Sequence, residues 1–196
     1  MSISLVVILG LPILYLTGNL RKSTNAAGLS GTCFVLYFVI CMVLSLIPPI
    51  TLFERVSINL PGAFMCLAPA VYLIVVRDFK FRFYLAAMIT ILISVSASFV
   101  SISYTISFIS ALLIFTVSLI SLLFLKRKAP LYAPVLIGIY SVASDIMSLL
   151  TEAEQHVTVF DVLDIASISF VICLVGSYLL SRPWHKVSTI QPQLRS

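Results

Sequence analysis

The sequence predicts an all-α protein, a polytopic membrane helix bundle with about seven transmembrane helices. Its composition is the first reason: hydrophobic residues make up 61% of the chain, charged residues 10%, and the mean hydropathy is +1.17. These values do not fit a soluble domain with a polar surface. Length is the second reason, since a helix needs roughly 20 apolar residues to cross the hydrocarbon layer and the chain has 196 residues. We therefore expect a multi-pass protein of the cell membrane, in contact with the lipid bilayer.

Apolar runs bounded by charged or turn-forming residues define the expected spans. They lack the apolar/polar alternation of barrel strands, which favours helices. The predicted spans are 3–20, 29–53, 58–76, 83–99, 104–125, 130–150 and 158–181. The division between the fourth and fifth spans depends on serines and Tyr104, because that stretch carries no charge. We expect one transmembrane domain, residues 1–181, followed by a short cytoplasmic tail, residues 182–196.

Basic residues fall on one side of these seven spans. Of the 12 Lys and Arg residues, all except Arg55 follow the first, third, fifth or seventh span. They are Arg21, Lys22, Arg77, Lys80, Arg82, Lys126, Arg127, Lys128, Arg182, Lys186 and Arg195. The positive-inside rule then places the amino terminus outside and the carboxyl terminus in the cytoplasm. Because the charges of the first span follow its apolar run, we expect an uncleaved helix rather than a signal peptide.

Several functional classes find no support in the sequence. The net charge of +5 is explained by topology, so we expect no nucleic-acid partner. His156 and His185 are predicted on opposite membrane faces, where they cannot ligate one haem. Motifs for nucleotide, zinc and serine-hydrolase chemistry are missing, and no cysteines form a CxxC pair. We therefore predict no cofactor and no structural metal, with packing roles for Cys33, Cys41, Cys66 and Cys173.

Three aspartates form the candidate site, which we regard as catalytic or ion-binding: Asp145, Asp161 and Asp164. Asp145 is expected about 9 Å deep, roughly six residues from its helix end, where a carboxylate is costly unless it has a function or an internal partner. Asp161 also fits a capping pattern, "TVFD", at the start of the last helix. Asp164 follows one turn deeper on nearly the same face. We predict that Asp145 shares one polar site with Asp161, Asp164 or both.

In two of the predicted spans, small and polar residues share one face of the helix. In the sixth span the face contains Pro134, Gly138, Ser141, Asp145 and Ser148, and in the third span it contains Asn59, Gly62, Cys66 and Pro69 or Ala70. One interpretation is close helix packing. The other is a polar cavity, which tolerates the backbone groups freed by prolines such as Pro61. In that case Asn59, Pro61, Gly62, Gly138 and Ser141 support the aspartates.

Three stretches carry a resemblance to a known family: "SINLPGAFMCLAPAVYLIV", "APVLIGIYSVASDIMSLL" and "VFDVLDIASISFVICLVGSYLL". Together they resemble a family of prokaryotic multi-pass membrane proteins classed as a domain of unknown function. The resemblance implies that Asp145 and Asp161 correspond to the family's aspartates and that Asp164 is additional. Ser144 stands where the family has alanine, and Val162 where it has glycine. The family supplies no established activity.

Three classes of function fit a membrane site of this kind. Acids beside a proline-broken helix are typical of transporters that bind a proton or small cation. Two aspartates on consecutive membrane helices are also similar in arrangement to presenilin-type aspartyl proteases, which cleave peptides with paired carboxylates. The motifs of that family are not present, the nearest matches being Ser144-Asp145, Phe160-Asp161 and Pro69-Ala70-Val71. The third class is a structural or assembly subunit that contacts a membrane partner protein.

Overall fold

The computed structural model is a bundle of helices with a small β-sheet at one end, and it describes residues 3–53, 56–76, 81–100, 106–151 and 157–181. Its helices are α1 (Ile3–Leu16), α2 (Arg21–Ala26), α3 (Gly31–Leu44), α4 (Leu60–Val75), α5 (Phe81–Val100), α6 (Ile106–Leu125), α7 (Ala129–Thr151) and α8 (Leu163–Ser181). Its strands are β1 (Ile50–Phe53), β2 (Val56–Ile58) and β3 (Val157–Val159). The predicted tail, both histidines, Arg55 and Tyr104 lie outside the described residues.

The mainly helical prediction is confirmed, and each of the seven apolar runs contains one long helix. Helix length corrects the number of clear membrane spans. Within the described residues, two helices rather than about seven are long and apolar enough to cross a membrane, Ala129–Leu150 and Leu163–Leu180. Helices α1 and α3 have 14 residues each and α4 has 16, which corresponds to roughly 21–24 Å.

Two prolines explain why the second apolar run is not one helix. The predicted span 29–53 divides into α3 and strand β1, with Pro48 and Pro49 between them. Proline lacks a backbone N–H and restricts the residue before it to extended conformations. The chain therefore leaves α3 at Leu44 and continues as an antiparallel β1–β2 hairpin.

The sheet was not predicted, and it changes the start of the last helix. Strand β3 pairs in parallel with β2, with Val56 opposite Val157 and Ile58 opposite Val159. The strands are short and rich in β-branched residues, which favour extended backbone. Helix α8 consequently begins at Leu163 instead of at residue 158. The sheet places the start of α4 beside the start of α8.

Large apolar side chains cover the outside of the bundle. Each of the seven long helices has at least one such side chain that is more than half exposed: Ile13, Leu36, Ile74, Leu92, Phe115, Ile146 and Leu180. The interior combines an aromatic cluster with small hydroxyl residues. Phe38 lies 5.1 Å from Phe34 and 5.4 Å from Phe170 between ring centroids, while Thr90, Ser94, Ser121 and Ser177 are buried. The most apolar surface therefore faces outward.

Two contacts define the ends of the bundle. The backbone N–H of Ser4 donates to Asp164 Oδ1 at 2.7 Å, so α1 and α8 begin at the same end. At the other end, Ser177 Oγ donates to the carbonyl of Lys126 at 3.1 Å. Helix α7 starts at Ala129, directly after Lys126–Lys128, and returns towards the first end. This path carries Asp145 to the end that holds the sheet and both other aspartates.

Candidate functional site

Asn59 connects the start of α4 to the segment before α8. It occupies the N-cap position of α4, and its carbonyl accepts from the Ala63 N–H at 2.9 Å. Its own backbone N–H donates to the carbonyl of Val159 at 3.0 Å. The Asn59 side chain makes no capping hydrogen bond to α4, and Nδ2 donates instead to Asp161 Oδ1 at 3.1 Å. The sheet and this amide together hold Asp161 against α4.

Asp145 is half-buried and approaches Asp161 from α7. Its Oδ2 accepts from Ser141 Oγ at 3.1 Å, one helical turn earlier. The backbone N–H of Phe160 also donates to this carboxylate, and the charge of Asp161 is close enough to act on it. The structure therefore holds Asp145 with Ser141 and the Phe160 backbone, and holds Asp161, the next residue along the chain, with Asn59.

Phe160 is the residue of this site that the sequence analysis missed. Its backbone has a φ of +63°, a left-handed conformation that is uncommon for a bulky residue. The chain turns there, so that the N–H reaches Asp145 while the carbonyl lies against Gly62. A Cβ on Gly62 would come within 2.0 Å of that carbonyl oxygen. The only sequence signal was the glycine at position 62, which does not indicate its partner.

The two predicted faces of small residues pack closely against each other. A Cβ added to Gly138 of α7 would lie 2.8 Å from Cβ of Cys66 in α4. Pro61 is buried in the first turn of α4, where its missing N–H breaks no helical hydrogen bond. Of the two interpretations of these faces, close packing describes Gly62 and Gly138. Asn59 and Ser141 are the members that contact the aspartates.

Asp164 has its described hydrogen bond to α1. Its carboxylate accepts from the backbone of Ser4, in the first turn of α1, and it lies in the first turn of α8 itself. Acidic groups are favourable at both helix starts. The prediction that Asp161 caps α8 is wrong in detail: the first helical carbonyl is that of Val162, which accepts from Ala166 at 2.8 Å. Asp164 also lies in the first turn of α8 rather than a turn further into it, because α8 starts five residues later than residue 158.

A groove of about 410 Å³ adjoins the site between α4, α5 and α7. Its lining includes Cys66 and Gly138 at the close helix contact, and Val142, Ala143 and Ile146 around the Asp145 turn. Phe160 contributes to the same lining. One residue therefore joins the acidic site to an apolar groove.

The buried cysteines agree with packing positions, since Cys41, Cys66 and Cys173 are free thiols inside the bundle and Cys33 is exposed. Within the described residues, no three His, Cys, Asp or Glu side chains are grouped closely enough to hold a metal ion. No protein-family model, curated protein or solved structure matches this chain. The family resemblance read from the sequence thus stays a prediction.

Proposed function

We propose that this chain is a multi-pass protein of the cell membrane that couples transport to the uptake of a proton or small cation at Asp145 and Asp161. The observation that carries the proposal is the arrangement of Asp145. Its carboxylate lies in an apolar helix, is held by Ser141 and the Phe160 amide, and is within range of the charge of Asp161. Ionisable groups inside membrane helices are rare and most often serve ion or proton pathways.

Two features support the membrane location. Large apolar side chains face outward on all seven long helices, whereas several hydroxyl side chains, among them Thr90, Ser94 and Ser121, are buried. A soluble protein rarely exposes so much contiguous apolar surface. The backbones of helices α5 and α6 cover 20 residues each, about 30 Å, although the parts with fully described side chains are shorter, Phe81–Ser96 and Ala111–Leu125. The shorter α1, α3 and α4 then require local thinning of the bilayer around them, which costs only fractions of a kcal/mol per Å of mismatch.

The distribution of charge supports the orientation predicted from the sequence. Arg21, Lys22 and Arg82 follow α1 and α4 at the end where Lys126 lies, opposite the three aspartates. The basic end is then cytoplasmic and the aspartate site lies in the outer half of the bundle. A single cysteine in place of Glu154, in a cysteine-free background, should react with a membrane-impermeant maleimide added outside intact cells. Labelling of that position from the cytoplasmic side alone would reverse the orientation.

The bonding of the two carboxylates favours transport over peptide hydrolysis. An aspartyl-protease dyad shares one proton between its acids. In this chain each acid has its own neutral donor, Ser141 for Asp145 and Asn59 for Asp161. Separate donors suit a pair of acceptors that receives and releases a cation between them.

A structural role is the second candidate, because the same contacts join α4 to the start of α8. Three contacts make this connection: the Asn59–Asp161 hydrogen bond, the β2–β3 pairing and the contact of Gly62 with Phe160. An assembly subunit needs such a rigid end for its partner but needs no titratable carboxylate. Replacing acids by amides distinguishes the two functions, since an amide keeps most of the hydrogen bonding.

The test measures proton flux in vesicles that contain the purified protein and a trapped pH-sensitive dye, with the membrane potential clamped by potassium and valinomycin. We expect the wild-type protein to dissipate an imposed pH gradient faster than protein-free vesicles. Asp145→Asn and Asp161→Asn should remove most of this flux, because an amide cannot take up a proton.

Asp164→Asn is the matched control, since it makes the same change three residues away at a carboxylate that contacts α1. It should retain wild-type flux. A flux that is equal in all four proteins, or equal to that of empty vesicles, would exclude the coupling role and favour the structural one.

A further inference from the structure

The groove beside Asp145 opens onto the outer surface of the bundle. Leu67, Ile91, Val142 and Ile146 line it, and each is more than a third exposed. On the membrane location proposed above, this opening faces lipid. A molecule can therefore enter the groove sideways from the bilayer without crossing water.

Size and chemistry both limit what the groove accepts. Its volume of about 410 Å³ lies within the range of small-molecule sites, about 300–1,000 Å³. The lining side chains are aliphatic, aromatic or the Cys66 thiol, and none carries a charge. An alkyl chain fits this lining, whereas a polar solute would lose its hydration without gaining hydrogen bonds.

Charge complementarity determines which head group a molecule bound in the groove can carry. Phe160 lines the groove and donates its N–H to Asp145, so Phe160 connects the groove to that carboxylate, and Asp161 is the next residue along the chain. Asp145 and Asp161 repel an anionic head group, and a carboxylate can accept about four hydrogen bonds, more than the described contacts use. An aromatic ring at the junction also attracts a cation.

We propose that the groove binds the alkyl chain of a lipophilic cation whose ammonium group binds Asp145 and Asp161. This inference rests on the proposed function, and it names the substrate class: an alkylammonium ion that competes with protons for the same carboxylates. Uptake of protons by the acids releases the ammonium group, and loss of the protons restores its site. Such competition provides the coupling that a proton-driven exchanger requires.

The experiment uses the full-length protein in nanodiscs of neutral phosphatidylcholine and two photoactivatable probes. One is a dodecylamine with a diazirine in its chain, and the other is the fatty acid of the same length with the same diazirine. After illumination, labelled peptides are quantified by mass spectrometry. We expect the amine to label peptides from 135–146 and 66–70 at least about tenfold more than the acid does, the ratio expected of a charge-assisted contact.

Three variants make the result specific. Asp145→Asn should reduce labelling by the amine to the level of the acid. Ala143→Phe, which fills the groove, should remove labelling by both probes there. Leu179→Phe, at an exposed position of α8, is the matched control and should change neither.

Equal labelling by both probes in the wild-type protein would overturn the inference, because the groove would then accept any lipid chain. Undiminished labelling by the amine in Asp145→Asn would overturn it as well. Proton flux that depends on Asp145, without a preference for the amine, would leave the proposed function standing and refute only the substrate class. A preference for the amine without proton flux would support the binding site and refute the coupling.

Discussion

Two aspartates near the start of α8 have different neighbours: Asp161 lies just before the helix and Asp164 lies in its first turn. Asp161 accepts from Asn59 and lies near Asp145, so it joins the loop to α4 and α7. Asp164, three residues later, accepts from the first turn of α1. The left-handed turn at Phe160 and the late start of α8 direct the two side chains to different helices. Residue type alone therefore does not define the proposed site, because one of these carboxylates contacts Asn59 and the other contacts the start of α1.

The largest effect should come from Gly62→Ala, on the Asp161 side. The new Cβ would collide with a backbone carbonyl, which cannot move aside without shifting the turn at Phe160. We expect a loss of about 3 kcal/mol in the free energy of unfolding, the upper end for overpacking. Reversible unfolding in mixed detergent and SDS micelles would measure it. Gly10→Ala is the matched control in a helix, since nothing lies within 4 Å of its added Cβ, and it should be neutral or slightly stabilising.

An equally stable Gly62→Ala protein would mean that Phe160 does not lie against α4. Asp161 would then lack the contact between Gly62 and the Phe160 carbonyl that orients the turn before it. The proposed difference between the neighbours of Asp161 and those of Asp164 would then have no structural basis.

A smaller effect is expected from Asn59→Ala. This change removes the side-chain donor of Asp161 but keeps the backbone contact between Asn59 and Val159. The unfolding free energy should fall by about 1 kcal/mol, as for one hydrogen bond to a partly solvated charge. Asn59→Ala in combination with Asp161→Ala should cost less than the sum of the two single losses, because both changes remove the same contact. Additive losses would show that the two side chains act independently.

The smallest effect should come from Asp164→Asn. The amide oxygen can still accept from the Ser4 backbone, so the variant keeps that contact and loses the charge near two helix starts. That loss is worth about 0.3–1 kcal/mol and should diminish at high salt, measured by the same unfolding assay. A loss above 3 kcal/mol would indicate that Asp164 belongs to a buried polar network.

Composition was enough to predict the seven helical runs, because an apolar chain of this length has few other ways to satisfy its backbone. The sheet could not be predicted, since "ITLF" and "VSI" are short apolar runs beside longer ones and lack a distinguishing period. The nearness of Asn59 to the aspartates followed from small and polar residues at helical spacing. The role of Phe160 could not be predicted, because its left-handed backbone and its contact with Gly62 depend on tertiary packing. The position of Asp164 was predicted wrongly because α8 starts at Leu163 and not near residue 158.

The central claim is that Asp145 shares a site with Asp161 while Asp164 belongs to α1. Cysteine cross-linking in membrane vesicles tests this most directly, with the four native cysteines replaced. Cysteine pairs at 145 and 161, at 145 and 164, and at 4 and 164 would be oxidised with copper phenanthroline and scored by gel mobility after a protease cut between the helices. We expect rapid cross-linking for 145 with 161 and for 4 with 164, and slow cross-linking for 145 with 164. Faster cross-linking of 145 with 164 than with 161 would contradict it.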